Sequence, residues 1–258
     1  MLQNMELSIK DLEKQRCDEY NLLVGNMKYF DCEKCLNKGY IAKLSDDDVM
    51  VLVECECSTK RGVYRKIKES GLGVALYENT FKSFEAETEW QKGTKSQALD
   101  FVENHGDNWF FIGGQVGSGK THICTAIVGQ LIKRGMSCRY MMWRDEVISI
   151  KANVNDDVAY SKFINPLKTA QVLYIDDFLK IPKEAKSPTQ GDLNVAFELI
   201  NYRYAANLTT IISSEHISDR IIDFEESVGS RIYEKSKKYS VLITQGKDKN
   251  YRLRGATL

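Results

Sequence analysis

The sequence predicts an α/β fold, a mostly parallel sheet covered by helices, preceded by a small unit held together by a metal ion. Three observations carry this reading. From Trp109 onward, short apolar runs alternate with stretches of helical periodicity, the pattern of a parallel sheet buried on both faces. A glycine-rich loop, Gly114 to Thr121, separates one such run from the helix that follows. Ahead of it, Cys32, Cys35, Cys55 and Cys57 crowd into a short segment.

Met5, Ile9 and Leu12 recur at helical spacing, so residues 4–24 begin with an amphipathic helix. Residues 29–57 hold the clustered cysteines and two short apolar strands, Tyr40–Ala42 and Val49–Val53. Ser58 or Thr59 is placed to cap a helix ending at Gly71. Its Lys60, Arg61, Arg65, Lys66 and Lys68 read as a solvated face. Residues 72–88 are a connector, and a helix around 89–104 carries Trp90, Ala98 and Phe101 on related faces. Strands are expected at 109–112, 137–142, 171–175, 209–213 and 239–243. Helices are expected at 121–134, 145–152, 157–168, 190–206, 218–223 and 227–237. The chain then divides into an N-terminal helical and metal-binding domain, 1–72, and an α/β domain, 73–258.

Composition sets limits. The 258 residues are 43% apolar, enough for an ordinary core, and 36 basic residues balance 36 acidic ones. That balance excludes a globally basic nucleic-acid binder but leaves room for a local basic track. Met1–Arg16 has no apolar core of a signal peptide, and no apolar run reaches the roughly 18 residues of a membrane helix. A cytoplasmic protein with no membrane partner is expected. An odd count of seven cysteines argues against a disulfide framework and favours metal ligation by the clustered ones.

Gly114, Gln115, Val116, Gly117, Ser118, Gly119, Lys120 and Thr121 match the phosphate-binding loop G-x-x-x-x-G-K-T, and His122 follows on the helix. Dense negative charge on phosphate calls for several backbone N–H groups at close range. Gly114, Gly117 and Gly119 permit that approach, and a helix starting near Lys120 adds its positive end. Lys120 is expected to reach the β- and γ-phosphates of ATP, and Thr121 to ligate Mg²⁺. Four apolar residues, Val172 to Ile175, then deliver Asp176 and Asp177 to the carboxyl end of a buried strand, where ligands of open α/β sheets bind. Asp176 is expected to hold Mg²⁺, and Asp177 to polarise the attacking water. An unrelated Gly-rich turn and an Asp-Asp turn are the bland alternatives.

The strand Thr210–Glu215 ends in polar groups that would meet the γ-phosphate if it lay between the phosphate loop and the acidic strand. Arg231, on a helix far along the chain, could supply a cation to a neighbouring subunit's site. In the cysteine segment, Cys32-x-x-Cys35 and Cys55-x-Cys57 are nineteen residues apart. That gap fits a two-knuckle module in which four thiolates hold a structural Zn²⁺. So small a segment needs the metal for folding energy. Cys17 lies outside the cluster. Cys124 and Cys138 read as core residues, and His105 and His216 as surface groups.

Gly113–His122, Leu173–Asp177, Thr210–Glu215 and Gly229–Glu234 together resemble the bacterial and phage replicative helicase loaders of the DnaC/DnaI type. These are AAA+ ATPases related to the transposition helper IstB, and the resemblance covers roughly residues 75–245. It implies a sensor role for Ser214 or Glu215, with Glu215 standing where the family often has Asn, and an arginine finger acting in trans at Arg231. It leaves little room after Tyr239 for the usual helical lid, so Arg252 or Arg254 is the candidate for the lid's sensor arginine. It also implies a zinc-containing N-terminal domain that grips a hexameric DNA helicase, self-association through the ATP site, and loading of the helicase onto single-stranded DNA. Lys151 and Lys162 are candidates for the DNA track, and Trp143 either stacks on bases or packs in the core. A transposition helper suits the ATPase motifs equally, but helpers of that type need no zinc module. A metabolic kinase would need an acceptor pocket, and an inert ATPase would not need both acids.

Overall fold

A computed structural model describes residues 8–27 and 31–253. Contacts divide the chain into two compact units, Met1–Arg65 and Lys66–Leu258. The division falls inside a helix, whereas the sequence placed a boundary after it, at 72/73. Met5 lies outside the described residues.

In the first unit, helix α1 (Ile9–Leu22) starts from a capping box. Ser8 Oγ accepts from Asp11 N at 3.1 Å, and the Asp11 carboxylate accepts from Ser8 N at 3.3 Å. Strands β1 (Tyr40–Leu44) and β2 (Met50–Glu54) pair antiparallel, with Ala42 opposite Leu52. Asn21 brackets Ala42, donating to its carbonyl at 3.0 Å and accepting from its amide at 2.9 Å. Glu13 accepts from Met50 N at 2.9 Å, so polar side chains of α1 fix the hairpin. Helix α2 (Cys57–Ser70) begins at a cysteine. Ser58 and Thr59 therefore lie within it rather than capping it, and Ser58 Oγ donates to Glu54 at 2.6 Å.

The second unit opens with α3 (Ala75–Glu78), a short helix inside what the sequence read as a connector, and α4 (Glu89–Asn104). Gln91, Thr94, Ala98, Phe101 and Val102 form the buried stripe of α4, and Trp90 lies off it. Five parallel strands follow: β3 (Phe110–Gly114), β4 (Cys138–Met142), β5 (Val172–Asp176), β6 (Thr209–Ser214) and β7 (Ser240–Ile243), in the order β4-β5-β6-β3-β7. Between them run α5 (Lys120–Lys133), α6 (Trp143–Ala152), α7 (Asp157–Thr169), α8 (Gln190–Ala205), α9 (Ser218–Phe224) and α10 (Glu226–Ser236).

β3, β5 and β6 are buried along their whole length. β6 lies between the phosphate-loop strand and the acidic strand, the condition under which its polar end meets the site, with Gly113 level with Ser214 on one side and Ile175 level with Ile212 on the other. The chain crosses the sheet in both directions from β3, so the ends of β3, β5 and β6 make the crevice where such sheets bind ligands. A fully buried Arg203 secures the entry to β5. It donates to the carbonyls of Leu167 (3.0 Å), Lys168 (3.1 Å), Ala170 (2.8 Å) and Thr209 (2.6 Å), and to Thr210 Oγ1 (2.9 Å). These bonds satisfy the end of α7 and join it to β6.

Candidate nucleotide site and thiolate cluster

The loop between β3 and α5 is shaped by its glycines. Gly114 has φ 112°, and a Cβ there would sit 2.1 Å from Ile243 O on the neighbouring strand. Gly117 has φ 72°, and a Cβ there would meet Asn250 at 2.1 Å. No side chain caps the N-terminus of α5 at Gly119, so the first amides of the helix remain available to an anion. Lys120 is buried, and its Nζ donates to Gly114 O at 2.9 Å and Gln115 O at 2.8 Å. Burial lowers its pKa, opposed by Glu215 first and then by Asp177 and Asp176.

Asp176 ends β5 at 2% exposure. Its Oδ1 accepts from Thr121 Oγ1 at 3.2 Å and from Ser213 Oγ, and its Oδ2 accepts from Tyr140 OH at 3.2 Å. Burial and then the Asp176 charge push the Tyr140 hydroxyl well above its ordinary pKa, so it stays a donor. Thr121 and Asp176 thus bring two hard oxygen ligands together beneath the uncapped helix, a donor set that fits Mg²⁺ beside phosphate.

A cavity of about 440 Å³ opens over this point, lined by the loop from Val116 to His122, by Asp177, Lys180 and Glu215, and by Asn79, Ser83 and Phe84. Gly114 and Gln115 shape the loop from behind and do not line the cavity. The Gln115 side chain accepts from Gly246 N at 3.3 Å. His122 Nε2 lies 3.0 Å from Thr80 O, and the ring meets Phe84 edge-on at 5.3 Å.

Of the two sensor candidates, Glu215 faces the cavity, where it pairs with Lys180 at 2.8 Å. Ser214 does not. Its buried hydroxyl donates to Phe178 O at 2.8 Å and accepts from His216 N at 3.0 Å. Arg252 lines the cavity and Arg254 lies outside the described residues, while Tyr251 N donates to Gly117 O at 2.9 Å. Arg231 is away from this cavity, its guanidinium over Tyr204 at 5.6 Å and Phe197 at 5.8 Å.

The DNA-track candidates separate. Trp143 is 1% exposed and packs edge-on against Phe178 at 4.8 Å. A stacked base needs an open ring face, so Trp143 is a core residue. Lys151 is held by Asp192 at 2.6 Å, and Lys162 is exposed. Cys124 and Cys138 are buried as expected. His105 and His216 are half-buried rather than surface groups, against Phe101 (5.0 Å) and Phe224 (5.0 Å).

In the first unit the four predicted sulfurs meet. Cys32, Cys35, Cys55 and Cys57 place every Sγ within 4.8 Å of the others, with Cys35–Cys57 at 3.5 Å and Cys32–Cys55 at 3.9 Å. Four thiolates about 2.3 Å from one zinc ion stand about 3.8 Å apart at the corners of a tetrahedron. The cluster therefore fits Zn²⁺. Gly39 N donates to Cys35 Sγ at 3.3 Å, and Asn37 Oδ1 accepts from Cys32 N at 2.9 Å and Arg61 at 2.6 Å. Such outer contacts orient metal ligands.

Residues 45–226 match the family of IstB-like ATP binding proteins. The chain belongs to that family. This IstB-like chain is 29% identical to the phage-like element PBSX protein XkdC of Bacillus subtilis, over 88% of its own length and 87% of that protein. So long a match cannot fit within Lys66–Leu258 alone. It is 28% identical to the replicative helicase loader DnaC of Escherichia coli, over 44% of this chain and 47% of DnaC, so that match spans about half of each. The crystal structure of the DnaC helicase loader superposes with a TM-score of 0.53 at 20% identity, covering 66% of this chain and 98% of that one. The likeness shows that the core of this IstB-like protein shares the fold of that structure.

Sequence reasoning missed Ser213, Tyr140, Lys180 and Tyr251. Ser213 had a signal. It lies next to Ser214 in a strand, where neighbours face opposite sides, and only the strand order decides which of the two faces Asp176. Lys180 and Tyr251 had none, since turn geometry and the path of the later chain bring them in.

Proposed function

We propose that this protein is an ATP-dependent loader of a replicative DNA helicase. The observation that carries the reading is the meeting of Lys120, Thr121 and Asp177 at one cavity, with Asp176 buried behind Thr121, in a DnaC-like core. The thiolate unit ahead of that core, where the DnaC/DnaI resemblance expects a helicase-gripping domain, supports it.

In this reading the α5 amides and Lys120 bind the β- and γ-phosphates. Lys120 exchanges the carbonyls of Gly114 and Gln115 for phosphate oxygens. Thr121 and Asp176 hold Mg²⁺, with Ser213 and Tyr140 fixing the Asp176 carboxylate. The ion's chemistry is to neutralise charge on the β- and γ-oxygens. Asp177 accepts the proton of the water that attacks the γ-phosphorus as the bond to the bridging oxygen breaks. Arg231 of one subunit completes the site of the next, in keeping with its distance from its own cavity. Single-stranded DNA is held by the assembled subunits. Cys32, Cys35, Cys55 and Cys57 hold Zn²⁺ and keep the helicase-binding unit folded.

The test is co-purification with the host's replicative helicase in the presence of ATP, with Lys120→Ala as control. Helicase retained by the wild type and lost or trapped by the variant is expected; no retention under any nucleotide condition refutes loading. The family's description favours one other reading, a transposition helper of the IstB type. ATP-dependent binding to duplex DNA with stimulation of a transposase would select it.

A further inference from the structure

Lys180 is a charge in the cavity that neither the phosphate loop nor the acidic strand accounts for. Its Nζ lies 2.8 Å from Asp177 Oδ2 and 2.8 Å from Glu215 Oε1, and all three side chains line the cavity with Lys120 and Thr121.

A constrained turn holds it there. Asp177 and Leu179 have φ of 55° and 54°, a conformation that residues other than glycine rarely adopt and that persists only where the surroundings impose it. Here they do. Phe178 and Leu179 are fully buried, Phe178 N donates to Ser213 O at 2.8 Å, and Ser214 Oγ donates to Phe178 O at 2.8 Å. Asp177 N donates to Ser213 Oγ at 3.2 Å, and Lys180 N closes the turn on Asp177 O at 3.0 Å. The two buried side chains point inward, and the two charged ones reach the cavity. The hydroxyl of Ser214 is part of this mounting.

Charge says what the mounting is for. Glu215 stands at the end of β6, close enough to Lys120 to be the first of the charges acting on it. A bare carboxylate at that point would repel a terminal phosphate, and an ionised carboxylate has no proton to donate. An ammonium bound to it offsets that charge and brings N–H donors to the same point. It has three donors, and the contacts with Asp177 and Glu215 use two of them.

We propose that Lys180 contacts the γ-phosphate of bound ATP, with Glu215 and Asp177 as its holders, so that the Glu215–Lys180 pair supplies the donor that Glu215 alone cannot. This rests on the ATP site proposed above. It gives the protein a group that distinguishes ATP from ADP, mounted on the same turn as the residue that takes the water's proton.

The experiment is calorimetry on the full chain with Mg·ADP and with Mg·ATPγS, a slowly hydrolysed triphosphate. Lys180→Met is expected to weaken Mg·ATPγS about tenfold or more, the worth of one charge-assisted hydrogen bond, with Mg·ADP within roughly twofold. Retained ADP binding also shows that the variant is folded. Lys180→Arg is expected to recover most of the loss. In Lys180→Met/Glu215→Ala the donor is still gone, so triphosphate binding is expected to stay weak. Recovery in that double variant would reduce Lys180 to a counter-ion of Glu215 and overturn the proposal. So would equal losses for the two nucleotides, or no loss. If the wild-type chain binds neither nucleotide, the ATP site itself falls.

Discussion

In Lys66–Leu258 the core holds Trp109, Trp143, Phe111, Leu173, Ile175 and Ile212 at 1% exposure or less. In Met1–Arg65 the buried side chains among the described residues are Cys17, Cys35, Ala42, Cys55, Cys57 and Arg61. Several large apolar residues of that unit face outward, with Leu22 at 77%, Leu52 at 50% and Val53 at 43% exposure, while Ile41 packs on the cysteines. One unit removes aliphatic and aromatic surface from water, at about 25 cal/mol per Å². The other gathers sulfur, whose packing alone contributes little. Two stretches of one chain thus meet the entropy of folding by different means.

The widest break of that comparison is metal removal. A structural Zn²⁺ site contributes about 10–16 kcal/mol, more than a small unit's whole stability. Chelation is therefore expected to abolish hydrogen-exchange protection over residues 31–65 while Mg·ADP affinity stays within roughly twofold. Protection that survives without metal would show that the first unit has a core of its own.

The converse disturbance is Arg203→Ala. It leaves buried carbonyls of Leu167, Ala170 and Thr209 without their donor, at a cost of about 3–5 kcal/mol. The urea midpoint of the second unit is expected to fall, with zinc content unchanged. A loss below about 1 kcal/mol would mean that water replaces the guanidinium. Next in size is Asp177→Asn, expected to lower ATP turnover about a hundredfold while nucleotide binding and zinc content hold. Turnover near the wild-type rate would remove Asp177 from the chemistry. The smallest effect is Ser8→Ala. Loss of the capping box of α1 is expected to cost about 1 kcal/mol, read as faster exchange of the first-turn amides with metal still bound.

The same contrast explains what the sequence could disclose. Gly114–Thr121 and Val172–Asp177 are contiguous, and each carries its chemistry within one loop or one strand end, so both could be read along the chain. The cysteines were legible because metal geometry constrains spacing. Strand positions followed from apolar runs, and the start of α2 failed because a cysteine opens that helix where a hydroxyl cap was expected. Ser213 and Tyr140 act on Asp176 through strand register, and Lys180 through a backbone turn with two positive φ angles. Neither register nor handedness is written in residue type. Trp143 shows the opposite hazard, an aromatic beside basic residues that proves to be packing.

Lys120 has a second task within its own loop. Its Nζ donates to Gly114 O and Gln115 O, so the ammonium that the proposed site turns on a phosphate is also a tie between the two residues that begin the loop. In the proposed ATP site, taking up a phosphate would release that tie, which links the occupancy of the site to the shape of the strand end behind it.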